Sequence, residues 1–224
     1  MEIKTKMNVD LLAGLSRKRT KKVVLLFSGG IDSLGVGLLL KDKKFKIYPL
    51  FLDYGQTASV AEQYLVEKVP SLAGFEPTKV IKTDLMHNLS KSRLLGQESV
   101  NDDDAWVPGR NTLFMTIAGI YAQQIDADGI AIGYMKDDNF VFGDNDYFHH
   151  LEVAQLLSKS FLRPMKVYMP AIAKTKLDLI KLIKSKNLLE ATTSCWNAKL
   201  ENDQIIECGL CANCLEKKAQ LSSR

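Results

Sequence analysis

No apolar run in these 224 residues approaches the length of a membrane span, and the lysine-bearing N-terminus lacks the apolar stretch of a secretory leader. A soluble, cytoplasmic protein without membrane contacts is therefore expected. No cysteine occurs before residue 195, and the four that follow are too tightly clustered for the disulfide framework of a secreted domain. There is no internal repeat and no low-complexity tract. The P-loop pattern GxxxxGK followed by Ser or Thr is absent, as is GxGxxG, so the P-loop and dinucleotide signatures are excluded. Charge is also sparing: a net +4 permits an anionic ligand without calling for nucleic acid.

With 46% hydrophobic residues, the chain can bury a sizeable core, and its length fits one α/β domain with a small appendage. The most informative stretch is Phe27-Ser28-Gly29-Gly30-Ile31-Asp32-Ser33. An apolar run, Val23 to Leu26, precedes it with the composition of a buried parallel strand, and a helical segment, Leu34 to Leu40, follows. A strand, a glycine turn and a helix start present backbone N–H groups to an anion. Ser28 and Ser33 add hydroxyls. Asp32 would repel a phosphate unless a cation mediates, which points to Mg²⁺ with pyrophosphate. The alternative is an ordinary strand–turn–helix connection with an Asp-Ser cap.

Strands and helices then alternate. Strands are expected at 47–52, 79–83, 129–133 and 167–169, and helices at 58–73, 112–124, 147–160 and 175–186. This pattern predicts a parallel sheet with helices on both faces, and ligands bind beyond the carboxyl ends of such strands. Ser28 to Ser33, Asp53, Asp84 and Tyr134 to Asp138 all fall there. Val107-Pro108-Gly109-Arg110-Asn111 gives a second glycine turn before a helix, with a guanidinium suited to phosphate. Residues 86–105 read as a long polar loop whose Asp102-Asp103-Asp104 run is either a solvated turn or a metal site. Residues 1–22 carry seven Lys or Arg and a short apolar face at Val9, Leu11, Leu12 and Leu15, either a helix capping the sheet or a nucleic-acid arm.

Cys195, Cys208, Cys211 and Cys214 form the second strong signal: twelve residues separate the first two, and two CxxC steps follow. Four thiolates at this spacing suit a closed tetrahedral zinc site, and an iron–sulfur cluster takes the same ligand count. The expected organisation is a basic extension (1–22), a nucleotide-binding α/β domain (23–186) and a zinc-binding segment (187–224).

The loop Ser28 to Ser33 resembles the SGGxDS pyrophosphate loop of ATP pyrophosphatases. Taken with Asp53-Tyr54-Gly55-Gln56, Val107 to Asn111, Cys195-Trp196-Asn197 and the CGxCxxC at Cys208 to Cys214, it resembles the 7-cyano-7-deazaguanine synthase family over roughly nine-tenths of the chain. The resemblance implies an adenine nucleotide α-hydrolase-like (Rossmann-like) sheet and structural zinc on the four cysteines. It implies ATP and Mg²⁺ at Phe27, Ser28, Gly29, Gly30, Ile31, Asp32, Ser33, Asp53, Tyr54, Gly109 and Arg110. Asp32, Ser33, Arg110 and Lys176 are the implied catalytic set, although Lys176 also reads as a solvated helix lysine. The implied reaction adenylates 7-carboxy-7-deazaguanine, admits ammonia to give the amide, and dehydrates the amide to the nitrile with a second ATP. A homodimer is expected.

Thr57-Ala58 stand where the family carries Arg-His, and Gly133-Tyr134-Met135-Lys136-Asp137-Asp138 departs from its Gly-Val-x-Glu-x-Asp. In the next stretch, Asp144 stays in place. The nucleotide machinery is thus expected to be intact and the acceptor pocket, around Lys136 and Asp144, altered. Two alternatives follow from this: a relative that passes the activated carboxylate to a protein or RNA amine, and a non-catalytic nucleotide- or RNA-binding module.

Overall fold

The computed structural model describes residues 19–96, 106–135 and 142–222. The expected N-terminal helix, the Asp102-Asp103-Asp104 run, and Lys136 and Asp138 lie outside the described residues.

Five parallel strands form the central sheet: β1 (Lys22–Leu26), β2 (Lys46–Asp53), β3 (Lys79–Lys82), β4 (Gly129–Ala131) and β5 (Lys166–Tyr168). Their order is β3-β2-β1-β4-β5. Because strand side chains alternate, each central strand feeds two cores. Val23, Leu25, Ile47 and Phe51 join α1 (Ile31–Asp42), α2 (Ser59–Ala73) and α6 (Lys176–Ser185) on one face. Val24, Leu50, Leu52 and Ile130 join α4 (Arg110–Gln124) and α5 (Tyr147–Ser160) on the other. The chain winds outward through β1, β2 and β3, then crosses to β4. Strand order therefore reverses between β1 and β4, the place where such sheets open a crevice at their carboxyl ends.

Several elements depart from expectation. The helix after the glycine loop begins at Ile31, not Leu34, so Asp32 and Ser33 sit in its first turn. α4 begins at Arg110, which places that guanidinium inside the helix rather than before it. The stretch expected as loop from residue 86 contains α3 (Leu85–Leu89) and a 3₁₀ turn at Arg93–Leu95, where the Ser92 side chain accepts from Leu94 N–H. Beyond the sheet lie an antiparallel hairpin, β6 (Lys199–Glu201) with β7 (Gln204–Ile206), and α7 (Ala212–Ser222), neither of which was expected. No described helix is long and apolar enough to cross a membrane.

Candidate active site

At the switch point, a cleft of about 370 Å³ is lined by Phe27, Ser28, Gly30, Asp32 and Ser33 from the first loop. Gly29 takes φ +78, and a Cβ there would lie 2.8 Å from Leu65 Cβ, so this turn accommodates only glycine. Gly133, two residues past β4, closes the cleft there, where a Cβ would come within 3.2 Å of Asp32 Cβ. Gly30 caps α1 without a side-chain hydrogen bond, and Ser33 Oγ donates to Gly30 O at 3.1 Å. The first-turn N–H groups of α1 thus open at the cleft without a capping side chain, the usual arrangement for holding an anion.

Lys176, at the start of α6, reaches this loop. Its Nζ donates to Asp32 Oδ1 at 2.8 Å and Oδ2 at 2.7 Å, its side chain is only 10% exposed, and Glu216 Oε2 of α7 lies 3.6 Å away. The solvated-lysine reading is therefore overturned. Arg110 Nη1 donates to Tyr54 Oη at 3.1 Å, and its guanidinium lies over the Tyr54 and Phe114 rings. Burial pushes the Tyr54 hydroxyl pKa up, against the pull of Arg110.

Not every expected residue meets here. Asp53 accepts from Gly55 N–H and pairs with Lys82 Nζ at 3.5 Å, facing a shallow depression shared with Thr83, Asp84 and His87. Ile31 is a core side chain, and Gly109, at φ +74, shapes the turn into α4. Asp144 is an anchor: it accepts from Trp106 Nε1 at 3.1 Å and Asn111 N–H at 3.0 Å, holding the start of α4.

Two further cleft residues escaped the sequence reading. Glu62 stands on the apolar stripe Ala58, Ala61, Leu65, Val66, Val69 of α2, and a carboxylate on a core-facing stripe is the signal that marks it. Its Oε2 accepts from Gln56 Nε2 at 2.6 Å, and burial raises its pKa to about 7, opposed by Gln56 and Arg110 and aided by Asp53. His150 shares a stripe with Val153 and Leu157 on α5. Its Nδ1 lies 3.4 Å from His149 Nδ1, its Nε2 is buried without a partner among the described residues, and burial drops its pKa to about 4.

The C-terminal segment forms another wall, through Thr193, Ser194, Cys195, Trp196 and Asn213. Behind it the sulfurs of Cys195, Cys208, Cys211 and Cys214 all lie within 4.8 Å of one another. Cys208 N–H donates to Cys195 Sγ at 3.2 Å and Cys211 N–H to Cys208 Sγ at 3.4 Å, as ligand thiolates require. A single tetrahedral ion with bonds of about 2.3 Å sets its sulfurs about 3.8 Å apart, and Cys208 and Cys214 stand at 4.0 Å. The cluster therefore fits one metal ion.

A family model described as "Queuosine biosynthesis protein QueC" matches residues 22–223. The 7-cyano-7-deazaguanine synthase of Methanocaldococcus jannaschii is 28% identical over 218 residues, covering 88% of this chain and 93% of that protein. The synthase of the same name from Prochlorococcus marinus (strain MIT 9215) is 33% identical over 210 residues, covering 88% and 91%. Among solved structures, a predicted subunit of tRNA methyltransferase from Methanocaldococcus jannaschii aligns with TM-score 0.48 at 20% identity, covering 73% of this chain and 74% of that one.

Proposed function

The chain belongs to the queuosine biosynthesis protein QueC family, and from that premise we propose that it adenylates 7-carboxy-7-deazaguanine with ATP. Ammonia then replaces AMP to give the amide, and a second round of adenylation yields the nitrile. The observation that carries this reading is the convergence, at one sheet switch point, of an uncapped helix start, two serine hydroxyls, Asp32 and Lys176.

A carboxylate is a poor electrophile, and transfer of AMP to it creates a leaving group. The departing pyrophosphate must be neutralised, and both reactants must be held in line. In this reading Ser28, Gly29, Gly30 and Ser33 bind pyrophosphate, and Lys176 and Arg110, which line the same cleft, supply positive charge to it. Asp32 would be the hard oxygen ligand that holds Mg²⁺, which when bound would neutralise phosphate charge. Lys176, which donates to both Asp32 oxygens with Glu216 at 3.6 Å, would share its charge with phosphate there. Tyr54 and Phe114 orient Arg110. Zinc is the ion assigned to the four thiolates, a closed set with no open position and hence a structural role. The basic extension (1–22), nucleotide-binding domain (23–186) and metal segment (187–224) remain the proposed division, and a homodimer the proposed assembly.

The test supplies ATP, ammonia and the carboxylate and follows products by mass spectrometry. AMP and pyrophosphate should appear in step with amide or nitrile, and Asp32→Ala should abolish both while the chain stays folded. ADP as the main product, or AMP formation independent of the carboxylate, would overturn the reading.

A further inference from the structure

The proposed reaction needs a nucleophile that reaches the cleft in the wrong protonation state. At neutral pH ammonia is present mainly as ammonium, whose nitrogen has no lone pair to attack with. The four cysteines of the chain all belong to the metal cluster, so none is left to release ammonia from an amide donor inside the protein. Ammonium that binds in the cleft has to lose a proton beside the acyl adenylate before its nitrogen can attack.

Glu62 is placed for both tasks. It lines the same cleft as Ser28, Asp32 and Ser33. Gln56 holds its Oε2, and Gln56 is itself fixed by Tyr54 N–H donating to its Oε1 at 2.9 Å, so the carboxyl has a set orientation. Oε1 receives no hydrogen bond from the described residues. The cation nearest it in charge terms, Arg110, is already directed to Tyr54. A half-buried carboxylate with one oxygen open draws in a small cation that can donate hydrogen bonds.

Resting on the proposed function, we propose that Glu62 binds ammonium and serves as its general base. The Glu62 carboxylate takes one proton from ammonium, and the nitrogen lone pair freed by that transfer attacks the acyl carbon. The C–O bond to the phosphate breaks with its electron pair leaving on AMP, and the surplus proton on the new C–N nitrogen passes to solvent. The environment suits the role. Burial brings the carboxyl pKa to about 7, near the working pH, where a general base is most effective, and its setting comprises Arg110 of α4, Asp53 at the end of β2, and Tyr54.

The test compares two nucleophiles in the wild type and in Glu62→Gln, which keeps the hydrogen bond to Gln56 available. Carboxylate-dependent exchange of labelled pyrophosphate into ATP needs no nucleophile and should persist in Glu62→Gln. With ammonium at pH 7, kcat/KM should fall about 100-fold or more, the usual scale of general-base catalysis. With hydroxylamine, largely uncharged at that pH, it should stay within about twofold, since no prior deprotonation is needed. Equal loss with both nucleophiles, loss of exchange, or no loss with ammonium would each overturn the assignment. The wild type gives an independent reading: its ammonium profile should show an ionisation near neutrality that the hydroxylamine profile lacks, and a rate that tracks free ammonia alone would overturn it too. Absence of carboxylate-dependent exchange in the wild type would instead overturn the proposed function itself.

Discussion

Glu62 and His150 are ionisable side chains set on apolar helical stripes, and their pH signatures run in opposite directions. The Glu62 pKa rises from 4.5 to about 7 on folding, so the folded state binds its proton more tightly than the unfolded chain does. Its contribution to stability is complete below the unfolded value and is lost as pH climbs through about 7. Above that, ionised Glu62 weakens the fold by on the order of 3 kcal/mol, at about 1.36 kcal/mol per pKa unit. Glu62→Gln should therefore raise the Tm at pH 8 and leave it nearly unchanged at pH 4, while ammonium turnover falls. An equal Tm shift at both pH values would contradict that account. His150 goes the other way. Its pKa drops from 6.5 to about 4 through burial and the neighbouring His149, against Asp146 and Asp144, so stability is full above pH 6.5 and declines as pH falls toward 4. Replacing it with Phe should flatten this acid limb in urea titrations read at successive pH values. An unchanged limb would place the acid sensitivity elsewhere.

For the elements, the turn between β1 and α1 carries the tightest constraint. Gly29→Ala meets both a left-handed φ of +78 and Leu65 Cβ at 2.8 Å, in a residue of α2 that cannot retreat from its core. Backbone strain of this kind costs about 1–3 kcal/mol, so the variant should unfold at lower urea and bind ATP more weakly. Unchanged stability would mean that the turn can re-form without glycine. This turn was legible in the sequence because an apolar run and a glycine pair leave few alternatives, and β1, β2, α5 and α6 were legible for similar reasons. α6 even announces its start, with a capping box of Thr175 and Asp178. The hairpin β6–β7 was not read, although its turn residues Asn202 and Asp203 both take positive φ, the signature of a type I′ turn. Its strands are only three residues each, too short for alternation to stand out. The start of α4 was misplaced because what fixes it is Asp144, a contact from thirty-three residues further along the chain. Glu62 and His150 were missed for a related reason: a sequence shows the polar break in the stripe, and only the packing shows that the break faces a cleft.

Across the whole molecule, the four-cysteine cluster and the glycine loop between β1 and α1 are tied together. Thr193 N–H donates to Gly29 O at 3.4 Å, and Thr193 Oγ1 is tied to Cys195 N–H and to Glu207, which in turn holds Lys217 at 2.9 Å. Asn213, between Cys211 and Cys214, donates to Ser194 O at 2.8 Å, and α7 also brings Glu216 to Lys176. A short loop-rich segment of this kind draws its folding energy largely from its metal. The five-stranded sheet has its own two cores, which, among the described residues, the C-terminal segment joins only through Leu188, Leu189, Ala191 and Ile205. Chelation, or Cys211→Ser, should therefore leave the helical circular dichroism of the sheet domain largely in place while the cleft wall at Thr193 to Trp196 comes loose. ATP affinity measured by calorimetry should then fall about tenfold, the 1.4 kcal/mol expected from losing one or two hydrogen bonds around the loop. Zinc added back to the chelated wild type should restore it, and zinc added to Cys211→Ser should not. Full ATP affinity in the metal-free protein would show that the loop stands without the wall, and that the cysteines serve some other end of the molecule.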